Sequence, residues 1–237
     1  MIATEFEFRR RSLLNLIHFW LAFQLYSVDH VNVVAAFIRG SAHRELLARV
    51  IFGFGALLLG IAAAMRTWAA AYLRSDVVHD PALHTETLVA DGPYRRVRNP
   101  LYLGTFLLSV GLGLLASRSG FLLLAVGAAI RILRLIGREE LELEKQQGER
   151  FRKFCRRVPK LIPSLRPRIP SAGLRPQWAQ AFRGEAFMWG FFIAMVAFTV
   201  TLRSRVAEIL SGATLALWFL QRWIWRREKP ATAWKRV

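Results

Sequence analysis

The sequence predicts an all-α fold: a polytopic transmembrane helical bundle of about six spans. Two observations carry this. Of 237 residues, 54% are hydrophobic, and they fall in long blocks rather than at the short periods of a soluble domain. The 34 Lys and Arg, set against 16 Asp and Glu, gather between those blocks. A block of about 18–25 apolar residues is long enough for the roughly 30 Å hydrocarbon core. Closed barrels apart, only a helix crosses it with its backbone hydrogen bonds satisfied internally.

The first expected span, Ser12 to Ile38, is interrupted by Asp29, His30 and Asn32, so it is either one tilted helix or a shorter span followed by an interfacial turn. It also keeps Asn15, His18 and Gln24 with no clean small-residue cleavage site, and so reads as a span rather than a leader. The second runs from about Leu46 to Leu73. The third starts after Pro100 and reaches about Ala116, and the fourth covers about Gly120 to Ile136; the short turn Ser117-Arg118-Ser119 makes these two a helical hairpin. The fifth covers about Ala186 to Leu202 and the sixth about Val206 to Trp225. The chain thus divides into N-terminal helices (1–74), a central core (75–165), and a basic linker with two further helices (166–237).

Six spans put both termini on one side. The segments 9–11, 74–100, 131–183 and 222–237 hold 27 Lys and Arg, whereas the opposite loops hold 6: Arg39, Arg44, Arg49, Arg118, Arg203 and Arg205. The positive-inside rule places both termini and the two long loops in the cytoplasm. Basic residues flanking spans fix topology and attract anionic headgroups. No aromatic-basic module interleaves with them, so nucleic acid is not an expected partner. The one cysteine, Cys155, has no companion for a disulfide and no metal-ligand cluster around it, so no metal site is expected.

Two cytoplasmic loops are longer than connectors need to be. The first reads Leu88-Val89-Ala90-Asp91-Gly92-Pro93-Tyr94 and continues through Asn99-Pro100-Leu101-Tyr102-Leu103-Gly104. Gly92-Pro93 marks a turn. Asn99 followed by Pro100 suits a helix start, with Asn as the cap and Pro at the first helical position. The exposed N–H groups and positive dipole end of that helix suit an anionic group. The second loop carries Gly137-Arg138-Glu139-Glu140-Leu141-Glu142-Leu143-Glu144, where a charge run is read most simply as a solvated helix. On that helix Leu133, Ile136, Glu140 and Leu143 share a face, with Glu139 on an adjoining one. Arg157-Val158-Pro159 and Ile162-Pro163 then end the helix and turn the chain back toward the bundle.

Taken in order, these pieces resemble the isoprenylcysteine carboxyl methyltransferase family and the related membrane phospholipid methyltransferases. The resemblance runs from Leu88 to Pro163, about a third of the chain. It consists of Leu-Val-x-x-Gly-Pro-Tyr, an Asn-Pro-x-Tyr-x-Gly helix start, a helical hairpin, Glu-Glu-x-x-Leu, Arg-Val-Pro and Ile-Pro. The stretch Arg66-Thr67-Trp68-Ala69 is similar to bacterial members. The resemblance implies S-adenosyl-L-methionine as cofactor, bound in a cytoplasmic pocket, with a lipidic or prenylated acceptor arriving from the membrane. It implies a cofactor site of Glu86, Leu88, Val89, Tyr94, Asn99, Pro100, Leu101, Tyr102 and Glu139, the last binding the cofactor's polar end.

Three positions depart from the family pattern. Asn99 stands where His is usual, and Glu86 where some members have a second His. Leu135 stands where an acceptor-binding Arg is expected, leaving Arg134, Arg138 or Arg131 as alternatives. A carboxylate acceptor needs only an orienting Arg fork. An amine acceptor must lose a proton, and Glu140 or Glu86 is then the candidate base. The expected catalytic set is therefore Arg134, Arg138 and Glu140. The alternative is a non-catalytic membrane binding or assembly protein that keeps the fold. A transporter fits less well, since no inverted repeat is evident and few ionisable residues besides Arg66 and Asp29 fall within spans.

Overall fold

The computed structural model describes residues 2–73 and 91–228, with the side chains of 225–228 excepted. Among the described residues the ordered elements are all helical, apart from one isolated bridge between Asn32 and Ser117. Glu86, Leu88 and Val89 lie outside the described residues.

Helix α1 (Glu5–Arg9) opens on a reciprocal cap, in which Glu7 N donates to Thr4 Oγ1 and Thr4 N donates to the Glu7 carboxylate. Helix α2 (Arg11–Gln24) is 14 residues long. It gives way to a single 3₁₀ turn, Leu25–Ser27, and the short α3 (Val33–Phe37) follows. Of the two readings of the first span, the structure has the shorter helix followed by a turn. The reason lies in the polar residues. Asn32 Oδ1 caps α3 by accepting from Val34 and Ala35 N, while its Nδ2 donates to Leu114 O and Ala116 O. Asp29 accepts from Arg118 and from Ser119 N. These bonds need a non-helical backbone, so α2 cannot continue through them.

Helix α4 (Arg44–Tyr72) and helix α6 (Arg118–Gln147) are each long and apolar enough to cross a membrane. Helix α5 (Pro100–Gly113) is apolar but shorter. Helices α8 (Trp178–Gly184) and α9 (Ala186–Thr201) form a third candidate only if they are one span bent by 60°. Helix α10 (Ser204–Glu228) is long but less apolar, with Glu208, Gln221 and Arg222 in it. Among the described residues, length and composition therefore give two or three membrane-capable helices where the sequence predicts six.

The core forms where α4 meets α5 and α9, around Phe52, Leu59, Ala62, Leu108, Met188 and Met195. Glycines set the approach: a Cβ on Gly111 would lie 2.0 Å from Leu59 Cδ1, and one on Gly55 would lie 2.6 Å from Met195 Cε. Small residues at such crossings let apolar helices pack backbone to backbone. Helix α6 contains a π-turn at Leu123–Gly127, where His18 of α2 fills the space a Gly127 side chain would need. Helix α7 (Glu149–Arg157) follows the positive-φ Gly148.

The loops sort to two ends. At one, Asp29 pairs with Arg118 and Arg49 donates to Thr199 O. At the other, Ala3 N donates to Arg134 O, Arg66 meets Glu185, and Gln221 donates to Arg183 O. Helix α1 and the later turns of α10 therefore lie at the same end of the bundle.

Candidate active site

The loop before α5 is held by its own turn chemistry. Asp91 accepts from Gly92 N, Ser171 Oγ and Leu174 N. Burial works against the Asp91 carboxylate, but these hydrogen bonds prevail and keep it below its ordinary range. Gly92 has φ +55°, and any Cβ would fall 2.3 Å from the Tyr72 ring, so both backbone and space require glycine. The turn buries Pro93 and Tyr94. Arg98 N then donates to Pro159 O, Ser164 N to Arg96 O, and Arg168 N to Arg95 O. The Arg-Val-Pro and Ile-Pro segments are thus a strap that fixes the loop from outside.

At the start of α5, Asn99 occupies the cap position and Pro100 the first helical one. The side chain does not cap as expected; Asn99 Nδ2 donates instead to Lys160 O at 3.1 Å, drawn away by the strap. Tyr102 Oη donates to Glu139 Oε1 at 2.6 Å, joining the two loops that the motifs singled out. Gly104 makes room for Arg66, whose Cγ would lie 2.4 Å from an added Cβ. The Arg66 guanidinium forks onto Glu185 at 2.7 and 2.9 Å and donates to Leu101 O and Thr105 Oγ1. It thereby ties the first turn of α5 to α4 and α9.

Tyr94 is buried, and its hydroxyl has no hydrogen-bond partner among the described residues. Burial pushes its phenol well above the ordinary range, so it stays a neutral donor. Glu140 sits between Lys160 at 2.8 Å and Arg98 at 3.4 Å. Glu139 and Glu140, expected on adjoining faces, both line the same cavity.

That cavity has a volume of about 1110 Å³. Tyr94, Arg98, Asn99, Pro100, Leu101, Tyr102, Glu139 and Glu140 line its polar end. From there it follows α5 past Thr105, Leu108 and Leu112 to Leu115. One side is α2; the other is α9 and α10, with Phe187, Phe191, Leu215 and Trp218. The sequence reading left α10 without a role, yet Ser204, Ala207, Ser211, Leu215, Trp218 and Arg222 give one helical face of it to this space.

The structure does not bring Arg134 and Arg138 into the cavity. Arg134 pairs with Glu7 at 2.8 Å, while Arg138 holds Glu5 and Ala3 O. Arg131 is turned toward Leu14 O and Asn15 of α2. Leu135, where an arginine was expected, packs against Ala3, Phe8 and Tyr102. Sequence reasoning missed Glu185, Phe8 and Arg11. Glu185 could have been sought as the acid that a buried Arg66 requires, since Arg within an apolar span needs a partner.

The sequence pattern of the phospholipid methyltransferase family matches residues 48–150, from within α4 to the start of α7. The resemblance read from the two loops is borne out over that stretch, and the match supports methyl transfer at a membrane. No curated protein and no solved structure gives a significant match. Helices α8, α9 and α10, including Glu185, lie outside the matched segment.

Proposed function

We propose that the chain is an integral membrane S-adenosylmethionine-dependent methyltransferase acting on a lipidic or prenylated acceptor, in the manner of an isoprenylcysteine carboxyl methyltransferase. The observation that carries this is a cluster of polar groups, the buried Tyr94 with the half-buried Tyr102 and Glu139, at one end of a largely apolar cavity. The unpartnered Tyr94 hydroxyl and the Glu139 carboxylate suit a ligand that is both donor and acceptor, as the cofactor's amino acid and ribose groups are. Tyr94, Asn99, Pro100, Leu101, Tyr102 and Glu139 would hold it, together with Glu86, Leu88 and Val89 of the preceding loop.

When bound, S-adenosylmethionine supplies a sulfonium methyl that is already electrophilic. The protein's work is then alignment. Tyr102 fixes the Glu139 carboxylate, and the strap fixes Tyr94 and Asn99. A carboxylate acceptor would need no proton removed, so the residues of the polar end would only have to orient it against the sulfonium methyl. With an amine acceptor one proton leaves, and Glu140, held between Arg98 and Lys160, is the base within the cavity. In this reading the polar end faces the cytoplasm, both termini lie there, and the apolar length of the cavity admits the acceptor from the bilayer.

The test is equilibrium binding of S-adenosylmethionine to the purified full chain in detergent. Saturable binding is expected, weakened at least tenfold by Tyr94→Ala and by Glu139→Ala. Absence of saturable binding, or binding indifferent to both changes, would favour a non-catalytic membrane protein that keeps the fold.

A further inference from the structure

Resting on the methyltransferase reading, we propose that Glu185 is a positioning residue of the donor site. From the bend between α8 and α9 it holds Arg66 in place and cancels its charge, so that the polar end of the cavity tolerates a cationic donor.

Arg66 lines the cavity, whereas Glu185 does not; the acid stands behind the guanidinium and is fully buried. Arg66 Nε and Nη2 fork onto the two carboxylate oxygens at 2.7 and 2.9 Å. This leaves Nη1 to donate to Leu101 O at 3.2 Å and to Thr105 Oγ1 at 2.9 Å. Leu101 and Thr105 line the cavity too, as does Phe187, whose ring centre lies 5.8 Å from the guanidinium carbon. The charges of Arg66, Glu185 and Glu139 all act on Tyr94, and those of Arg66 and Glu139 on Tyr102. The pair therefore stands within electrostatic reach of the residues that would hold the donor.

The chemistry of the donor makes this pairing matter. S-adenosylmethionine has a sulfonium charge that S-adenosylhomocysteine, the thioether left after transfer, lacks; the adenosine and amino acid parts are common to both. An arginine stays protonated whatever its surroundings, so it cannot shed its charge when its partner is lost. A buried charge is also screened far less than one in water. A guanidinium without its acid on this wall would therefore penalise the donor and leave the thioether nearly untouched. The other charges of this end are set against each other in the same way. Arg98 faces Glu140 at 3.4 Å, and Arg11 and Glu139 act on Tyr102 with opposite sign. Arg66 lies inside the family-matching segment and Glu185 outside it. The counter-charge thus gives the C-terminal helices a part in the donor site.

The experiment measures equilibrium binding of S-adenosylmethionine and of S-adenosylhomocysteine to full chains in detergent, at one salt concentration. The chains are wild type, Glu185→Gln, Arg66→Met, and the double variant Arg66→Met with Glu185→Leu. Glutamine keeps the shape of the side chain and an oxygen for the fork while removing the charge. Glu185→Gln should weaken S-adenosylmethionine about tenfold and leave S-adenosylhomocysteine within about twofold. The double variant carries neither charge and should return the ratio of the two affinities to the wild-type value. A structural tie alone would weaken both ligands alike in Glu185→Gln. That result, or a double variant whose ratio stays as low as that of Glu185→Gln, overturns the proposal. Arg66→Met keeps the acid and removes the cation, so its ratio should not fall; a fall there overturns the proposal even if Glu185→Gln does not fold. A wild type that binds neither ligand refutes the methyltransferase reading and the proposal with it. A wild type that binds both, with the ratio unchanged in every variant, refutes the proposal alone.

Discussion

Gly104 sits where α5 passes over Arg66, and the four hydrogen bonds of that guanidinium leave it no room to swing aside. Gly104→Ala is expected to destabilise the bundle by about 1–3 kcal/mol, the usual cost of overpacking, read as a lower melting temperature in detergent; an unchanged melting temperature would contradict the close approach. Glu7 gives a pH-dependent prediction. The hydrogen bond from Arg134, with those from Thr4, lowers its carboxyl from an ordinary value of 4.5 to about 2. A depressed carboxylate contributes stability that is present above its ordinary value and lost as pH falls through the folded one. The α1 clamp should therefore hold across neutral pH and loosen between about pH 4.5 and 2. Glu7→Gln should give the loosened state at pH 7. Proteolysis near α1 reads both, and equal cleavage of variant and wild type at pH 7 would show that the pair does not hold the arm.

At the scale of elements, the 60° bend between α8 and α9 is where Glu185 enters the core. Its side chain is 0% exposed and its partner Arg66 is 11% exposed. Removing one member of such a pair leaves a buried charge uncompensated. Glu185→Ala should cost about 3–5 kcal/mol. The double change Arg66→Met with Glu185→Leu should recover much of that loss, because the stranded charge is gone. Thermal unfolding of the three variants checks this; a double variant no more stable than Glu185→Ala would deny the coupling. The motif loops were legible as elements because turn residues and the Asn-Pro start are local signals. The strap was legible as a return of the chain, but its use of Asn99 was not. Cap propensity describes an isolated helix end, whereas here the Asn99 amide is oriented by the bond from its Nδ2 to the Lys160 carbonyl and its oxygen does not meet the N–H groups of α5.

Across the whole molecule, the family-matching segment does not close its own core. Met188 and Met195 of α9 complete the cluster around Leu59, and α9 carries the acid for Arg66. A chain ending at residue 176 should therefore be degraded or aggregate, where the full chain is monodisperse in detergent. A well-folded truncated chain that still binds S-adenosylmethionine would refute the dependence.

By itself the sequence determined the helical class and the two motif segments that meet through Tyr102 and Glu139. Each is written in short-range pattern: apolar length, and turn residues at fixed spacing. Only the tertiary structure decided which arginines face the cavity. Periodicity assigns a residue to a helix face but does not say which neighbour covers that face. Arg134 meets Glu7 across 127 positions of chain, and that pairing turns it away from the cavity. The same clamp brings Phe8 and Arg11 to the polar end, and the cavity itself exists because α2, α5, α9 and α10 stand around one space.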